Sequence, residues 1–361
     1  MRSRLLIDRT RFGQAASATL FAVVALLAME AASRLDDHWN HGAPLWGSYD
    51  FERLFTFDGR VVRGVPHAQY AKWSLNSVGM RGPEPAAAPG IPRAVVYGAS
   101  ESFGIYESDG KEFPRVMQER LRADTGLGQF EVLNAGVPGM RVGSGTEYIE
   151  WLGQRFQPRV VVIYPTPTHY IGVSRPLCGR PARAASSASD VKPSSRLLAK
   201  LTDRIKESLP RSLLTMARKG AIAWATRGTQ PLDRVPPSSL EAFKADLDCA
   251  VQAVRRIGAT PVLVTHANRF AAPPAADEAM WLTGWRMQYP ELREAGFIDL
   301  EQRANALVRE VAQQADVELV DAASELTGRA ELFADHAHFN DAGAQRMGNL
   351  LARRVAALLK P

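Results

Sequence analysis

The stretch Arg93-Ala94-Val95-Val96-Tyr97-Gly98-Ala99-Ser100-Glu101-Ser102-Phe103-Gly104 decides the fold. Its apolar run ending in Gly98 reads as a short buried strand, and the small residues that follow read as a tight turn into a helix, with Ser100 on the turn. The pattern repeats along the chain. Residues 111–123 have helical spacing, 130–133 read as a strand, 143–156 as a helix and 160–164 as a strand. After an interruption, 239–257 read as a helix, 261–265 as a strand, 300–314 as a helix, 317–320 as a strand and 341–359 as the last helix. Strands alternating with helices predict an α/β fold of three layers, a parallel sheet with helices on both faces.

In such sheets functional groups gather beyond the carboxyl ends of the strands. Ser100 lies there as a candidate nucleophile, although a serine at a helix start is also a common N-cap. A base is offered by Phe333-Ala334-Asp335-His336-Ala337-His338-Phe339-Asn340-Asp341-Ala342-Gly343, between the last strand and the final helix. Asp335 and His338, three residues apart, place a carboxylate against an imidazole, which fixes its tautomer and stabilises the imidazolium formed on taking a serine proton. His336 competes for the base role. Asp341 as a helix cap and Gly343 as a close-packing residue have structural explanations. No further ligand clusters with Asp335, His336 and His338, so neither a metal nor a cofactor is expected.

These residues resemble the SGNH (GDSL-type) hydrolase superfamily. Gly98-Ala99-Ser100-Glu101-Ser102-Phe103-Gly104 looks like its first block, Asn134-Ala135-Gly136 like its glycine block, and Asp335-His336-Ala337-His338 like its Asp-x-x-His block. Upstream, Asn76-Ser77-Val78-Gly79-Met80-Arg81-Gly82 is similar to a segment found before the nucleophile in membrane-anchored bacterial members. The resemblance covers residues 74–360 apart from two insertions, and implies Ser100 as nucleophile, His338 as base and Asp335 as its orienting partner. The oxyanion donors it implies are the Ser100 and Gly136 backbone N–H groups. Two departures stand out. Ala99 replaces the aspartate usual before the serine, and Tyr164-Pro165-Thr166-Pro167-Thr168-His169-Tyr170 replaces the block carrying the oxyanion asparagine. Thr168 falls at the matching position with Thr166 next, so a threonine hydroxyl is expected as donor; a missing donor of this class costs about a hundredfold or more in rate.

Around this core the chain divides into a basic segment at 1–12, an apolar membrane helix at 13–33, an irregular segment at 34–92 and the catalytic domain at 93–361. Arg2, Arg4, Arg9 and Arg11 precede the uncharged run 15–29, an asymmetry that keeps the amino terminus in the cytoplasm and exports the rest. An uncleaved anchor is favoured over a cleaved signal peptide, because Glu30 sits badly before the small residues 31–33. Export would place the domain in the periplasm at a bacterial inner membrane and permits a disulfide between Cys178 and Cys249, with two unpaired thiols as the alternative. The helical insertion at 178–235 opens on low-complexity sequence and continues into two helix-length segments over 197–225 with Lys200, Arg204, Lys206, Arg211, Arg218 and Lys219, either a solvated face or a basic cap. A second insertion, 271–297, carries Trp281, Trp285 and Tyr289, either a sugar-stacking wall or a local hydrophobic cluster.

The 361 residues carry a net charge of +6 with 46% hydrophobic and 23% charged residues, which excludes collagen-like, disordered and polytopic membrane classes. The basic residues are scattered with no nucleic-acid motif, so nucleic acid is not expected as a partner. The expectation is an exported serine esterase acting through an acyl-enzyme on O-acyl, chiefly O-acetyl, groups of an acylated carbohydrate or other ester. The alternatives are an O-acetyltransferase of the same fold, a catalytically silent binding subunit, or a lipase or thioesterase at the membrane surface.

Overall fold

The computed structural model describes residues 2–47, 49–87, 90–124, 129–180, 195–228, 230–275 and 278–359. The low-complexity start of the first insertion, 180–189, lies outside them from residue 181 onwards. The chain forms two compact units, one of residues 1–53, 69–72 and 186–210, the other of 54–68, 73–185 and 211–361.

In the first unit, helix α1 (Arg2–His41) continues well past the expected end of the anchor. No Gly or Pro interrupts residues 14–41. Pairs one turn apart sustain the polar end: Arg34 with Glu30 at 2.7 Å, and Asn40 donating to Asp36 at 2.7 Å. Gly42, at φ +64°, stops it. The stretch from Phe12 to His41 is long and apolar enough to cross a membrane, and Phe12, Leu20, Phe21, Val24 and Leu27 are exposed. Helix α5 (Arg196–Ser208) begins on the α1 carboxylate of Glu30, which accepts from Ser195 Oγ, Arg196 N and Leu197 N at 2.7, 3.2 and 2.9 Å. Lys200 then pairs with Asp36 at 2.6 Å and Asp37 at 2.9 Å.

The second unit opens with an antiparallel hairpin, β1 (Phe55–Phe57) and β2 (Val62–Gly64), so residues 34–92 are less irregular than expected. Among its described residues, β5 (Arg93–Gly98), β6 (Glu131–Gly136), β7 (Val160–Tyr164), β8 (Thr260–Val264) and β9 (Glu318–Val320) form a parallel sheet ordered β6-β5-β7-β8-β9. The period of two sends Val95, Tyr97, Val161, Ile163 and Leu263 to one face, against α4 (Thr146–Phe156), α7 (Pro237–Arg256) and α9 (Glu294–Gln314). Ala94, Val96, Val160, Val162, Val262 and Val264 face the other side, against α3 (Phe113–Asp124) and α11 (Asp341–Leu359). Burial on both faces explains why these strands read as continuous apolar runs. The three-layer α/β expectation holds.

Cys178 and Cys249 form a disulfide, with Cα atoms 6.4 Å apart. The two helix-length segments of the first insertion are α5, in the first unit, and α6 (Arg211–Ala225), in the second.

Candidate active site

Strand β5 ends at Gly98, where a Cβ would collide with Ser102 Oγ and the Tyr164 carbonyl, so only glycine lets the turn pass this close to β7. Ser100 opens the four-residue helix α2 (Ser100–Phe103), which Gly104 closes at φ +84°. The upstream Asn76–Gly82 segment braces this turn. Asn76 Oδ1 accepts from Val78 N at 3.1 Å and Met80 N at 3.0 Å, shaping a loop from which buried Arg81 donates to the carbonyls of Phe103, at 3.1 Å, and Gly104. Glu112 lies 3.6 Å from the same guanidinium.

The loop before α11 delivers the imidazole. Asp335 Oδ1 accepts from the backbone N–H groups of Ala337 and His338, both at 2.9 Å, turning the chain so that Asp335 Oδ2 meets His338 Nδ1 at 2.8 Å. His338 Nε2 then stands 2.9 Å from Ser100 Oγ. Burial disfavours the imidazolium, but the Asp335 hydrogen bond and charge outweigh it and raise the His338 pKa to about 9. Asp335 is held well below the usual carboxylate range, because His338 overcomes the effect of burial. His336 lines the same cavity, but burial lowers its pKa to about 4, and its Nδ1 is 3.7 Å from Asp335 Oδ1. The geometry therefore serves His338. Asp341 accepts from Ser108 N and Ser108 Oγ, both at 2.8 Å, tying the start of α11 to the segment after α2.

Two of the expected oxyanion donors are corrected. Gly136 lies inside β6 in register with Gly98, and its N–H donates to Asn134 Oδ1 at 3.0 Å, so it has no N–H to offer and does not border the cavity. The strand runs three residues beyond its expected end because its pairing with β5 continues that far. Gly139, at φ +79° on the turn after β6, borders the cavity instead, and its N–H has no acceptor among the described residues. Thr166 donates its hydroxyl to Glu101 Oε2 at 2.9 Å and is thereby taken up. Thr168, buried on the short helical turn after β7, borders the cavity with its hydroxyl unpartnered among the described residues.

Three functional candidates were missed from sequence. Glu101, beside Ser100, is 2% exposed; its Oε1 is 3.4 Å from His266 Nε2, and His266 Nδ1 is 2.7 Å from Glu301 Oε2. His266 follows β8 at the same carboxyl edge as Ser100, which was the available signal. Glu301 lies within α9 and carries none. Burial opposes charge on His266, but the two glutamates raise its pKa to about 10. Burial likewise opposes charge on Glu101, but the His266 hydrogen bond and the His338 charge hold its carboxyl far below the usual range.

The cavity above Ser100 has a volume of 680 Å³. Leu214, Thr215 and Arg218 of α6 line one side, and Trp281, Trp285 and Tyr289 of the second insertion another. The hydrophobic-cluster expectation for that insertion holds at Trp285. Trp285 is buried against Phe297 and Tyr289, while half-buried Trp281 stacks on Arg269 at 4.3 Å. Among the described residues no cluster of His, Cys, Asp or Glu is arranged to hold a metal ion.

No family model and no curated protein matches the chain. Among solved structures it is similar to the acetyl xylan esterase AlAXEase, with 14% identity over 74% of this chain and 100% of that one and a TM-score of 0.42. It is also similar to a lipase/acylhydrolase from Enterococcus faecalis (17%, 75% and 98%, TM-score 0.41). A catalytic mutant of Axe2, an acetylxylan esterase from Geobacillus stearothermophilus, is a third likeness (12%, 73% and 94%, TM-score 0.42). Identities and overlaps of this size leave the functional reading to the site geometry. The hydrogen-bonded row of Ser100, His338 and Asp335 at the carboxyl edge of a parallel sheet is the arrangement of a serine hydrolase. Ser100 sits on the turn after β5, and Asp335 and His338 on the loop before α11.

Proposed function

We propose that the chain is a serine esterase that removes O-acyl groups, O-acetyl foremost, from a carbohydrate through an acyl-enzyme. The observation that carries this is the Asp335–His338–Ser100 row, at 2.8 and 2.9 Å, opening on a 680 Å³ cavity. Ser100 Oγ attacks the ester carbon as His338 Nε2 takes its proton, and Asp335 stabilises the imidazolium. The Thr168 hydroxyl and the Ser100 and Gly139 N–H groups are the donors available to the oxyanion, in place of an asparagine. His338 returns the proton to the leaving alcohol, and water then cleaves the acyl-enzyme.

The carbohydrate reading draws on the aromatic residues Trp281 and Tyr289 and the polar residues Arg218 and Gln288, all of which line the cavity. The location is proposed on two features. The apolar part of α1, preceded by four arginines, would anchor the chain in a bacterial inner membrane with its catalytic domain in the periplasm, and the Cys178–Cys249 disulfide suits that oxidising compartment. The complete row of three groups argues against a silent binding subunit.

Acetate release from p-nitrophenyl acetate and from an acetylated polysaccharide, compared between the parent protein and Ser100→Ala, tests the reading. Release from both substrates that vanishes in Ser100→Ala is expected. Release that survives the substitution refutes the nucleophile, and no release from the polysaccharide refutes the substrate.

A further inference from the structure

Two carboxylate–imidazole chains end on the one hydroxyl of Ser100. Asp335 and His338 reach it from one side, and from another Glu101 Oε2 stands 3.3 Å from Ser100 Oγ, backed by His266 and Glu301. Glu101, His266 and Glu301 are at most 2% exposed, yet Glu101 borders the cavity. The esterase steps above use none of the three. A buried carboxylate costs several kcal/mol of desolvation, so a charged group set against the nucleophile and held there by Thr166 and His266 requires a chemical reason.

We infer that Glu101 is a second catalytic carboxylate, which seats the water that cleaves the acyl-enzyme and so favours water over an alcohol as acceptor; the inference rests on Ser100 being the nucleophile. In the free enzyme the Ser100 hydroxyl has one proton and two acceptors within reach, His338 Nε2 and Glu101 Oε2. Acylation sends that proton through His338 to the leaving alcohol and deprives Glu101 of its Ser100 donor. The next acceptor must approach both His338 Nε2 and the carbon bound to Ser100 Oγ, which brings it beside Glu101 Oε2.

Water has two O–H bonds for these two acceptors. Its oxygen bonds to the acyl carbon, one proton passes to His338 Nε2, and the other stays on the oxygen in a hydrogen bond to Glu101. Collapse breaks the bond from carbon to Ser100 Oγ, His338 returns its proton to Ser100, and the carboxylic acid leaves with the proton Glu101 had held. An alcohol has one O–H, which His338 needs, and would set a carbon against the buried carboxylate. Glu101 Oε2 then keeps only the Thr166 donor, and a carbon set where its second donor stood is a penalty that discriminates between acceptors. His266 is a positioning residue that keeps Glu101 aimed at the acceptor.

The test uses the full-length chain in detergent micelles with p-nitrophenyl acetate in aqueous methanol, and measures acetate against methyl acetate. The parent is expected to favour water beyond the molar ratio of water to methanol. Glu101→Gln should keep fluorophosphonate labelling of Ser100 and the p-nitrophenol burst, deacylate on the order of tenfold more slowly, and shift products severalfold towards methyl acetate. Thr166→Val, which removes a donor to Glu101, should shift them less in the same direction. A parent that favours methanol, or labelled variants with unchanged partition, overturns the inference while the nucleophile stands. An unlabelled Ser100 in the parent overturns both.

Discussion

Ser100 Oγ lies 2.9 Å from His338 Nε2 although 238 positions of chain separate the two residues. Strand β5 and the loop before α11 bring them together at one edge of the sheet, and Asp335 meets the other ring nitrogen at 2.8 Å. The contact makes the chemistry of Ser100 depend on the charge of an imidazole whose pKa is raised to about 9.

The first prediction is the pH dependence. Catalysis needs neutral His338, so kcat/KM for p-nitrophenyl acetate should rise with pH and reach half its maximum near pH 9. Asp335→Asn removes the charge that holds the proton, moving that limb towards the ordinary imidazole range and lowering kcat roughly 10⁴-fold. A limb that stays in place in the variant refutes the pairing. The folded-state pKa lies above the unfolded value of 6.5, so the stability His338 contributes is fully present below that value and lost as pH rises through about 9. Thermal unfolding between pH 6 and 10 measures the loss, which Asp335→Asn should shrink.

The oxyanion site gives a second prediction. Thr168→Ala should lower kcat by about a hundredfold with little change in KM, and Thr168→Ser should restore most of it. Steady-state kinetics of the pair decides, since a packing role for Thr168 would not be rescued by serine.

Arg81 should be needed for stability and for the shape of the nucleophile turn. Arg81→Met leaves the Phe103 and Gly104 carbonyls without their donor and the buried Glu112 carboxylate without its cation, for a loss of about 3–5 kcal/mol. Denaturant unfolding reads the loss. A variant as stable as the parent would show that the contact is dispensable.

The disulfide closes a separation of 71 residues, which in the chain-entropy picture stabilises by about 4 kcal/mol. Paired Cys178→Ser and Cys249→Ser substitutions should lower the melting temperature, and denatured parent protein should gain two thiols on reduction. Equal thiol counts before and after reduction would exclude the bond.

The two tryptophans of the second insertion should behave differently. Trp281→Ala is expected to raise KM for acetylated polysaccharide while sparing p-nitrophenyl acetate. Trp285 is 2% exposed in the core, so Trp285→Ala should cost about 3–5 kcal/mol of stability whatever the substrate.

The sequence alone determined the alternation of strands and helices, because strands buried on both faces must be apolar throughout and helices covering them must repeat their apolar positions every three to four residues. It also located Ser100 on its turn and Asp335 three residues from His338, since both are local arrangements. Tertiary structure decided what depends on distant segments. Gly136 looked like a loop residue until the register with β5 placed it inside β6 with its N–H spent on Asn134. The sequence put Thr168 at the matching position with Thr166 next, and the arrival of Glu101 beside Thr166 is what takes the second hydroxyl up. The Glu101–His266–Glu301 row joins α2, the end of β8 and α9; no spacing along the chain encodes it, because its members meet only through the packing of the sheet against its helices.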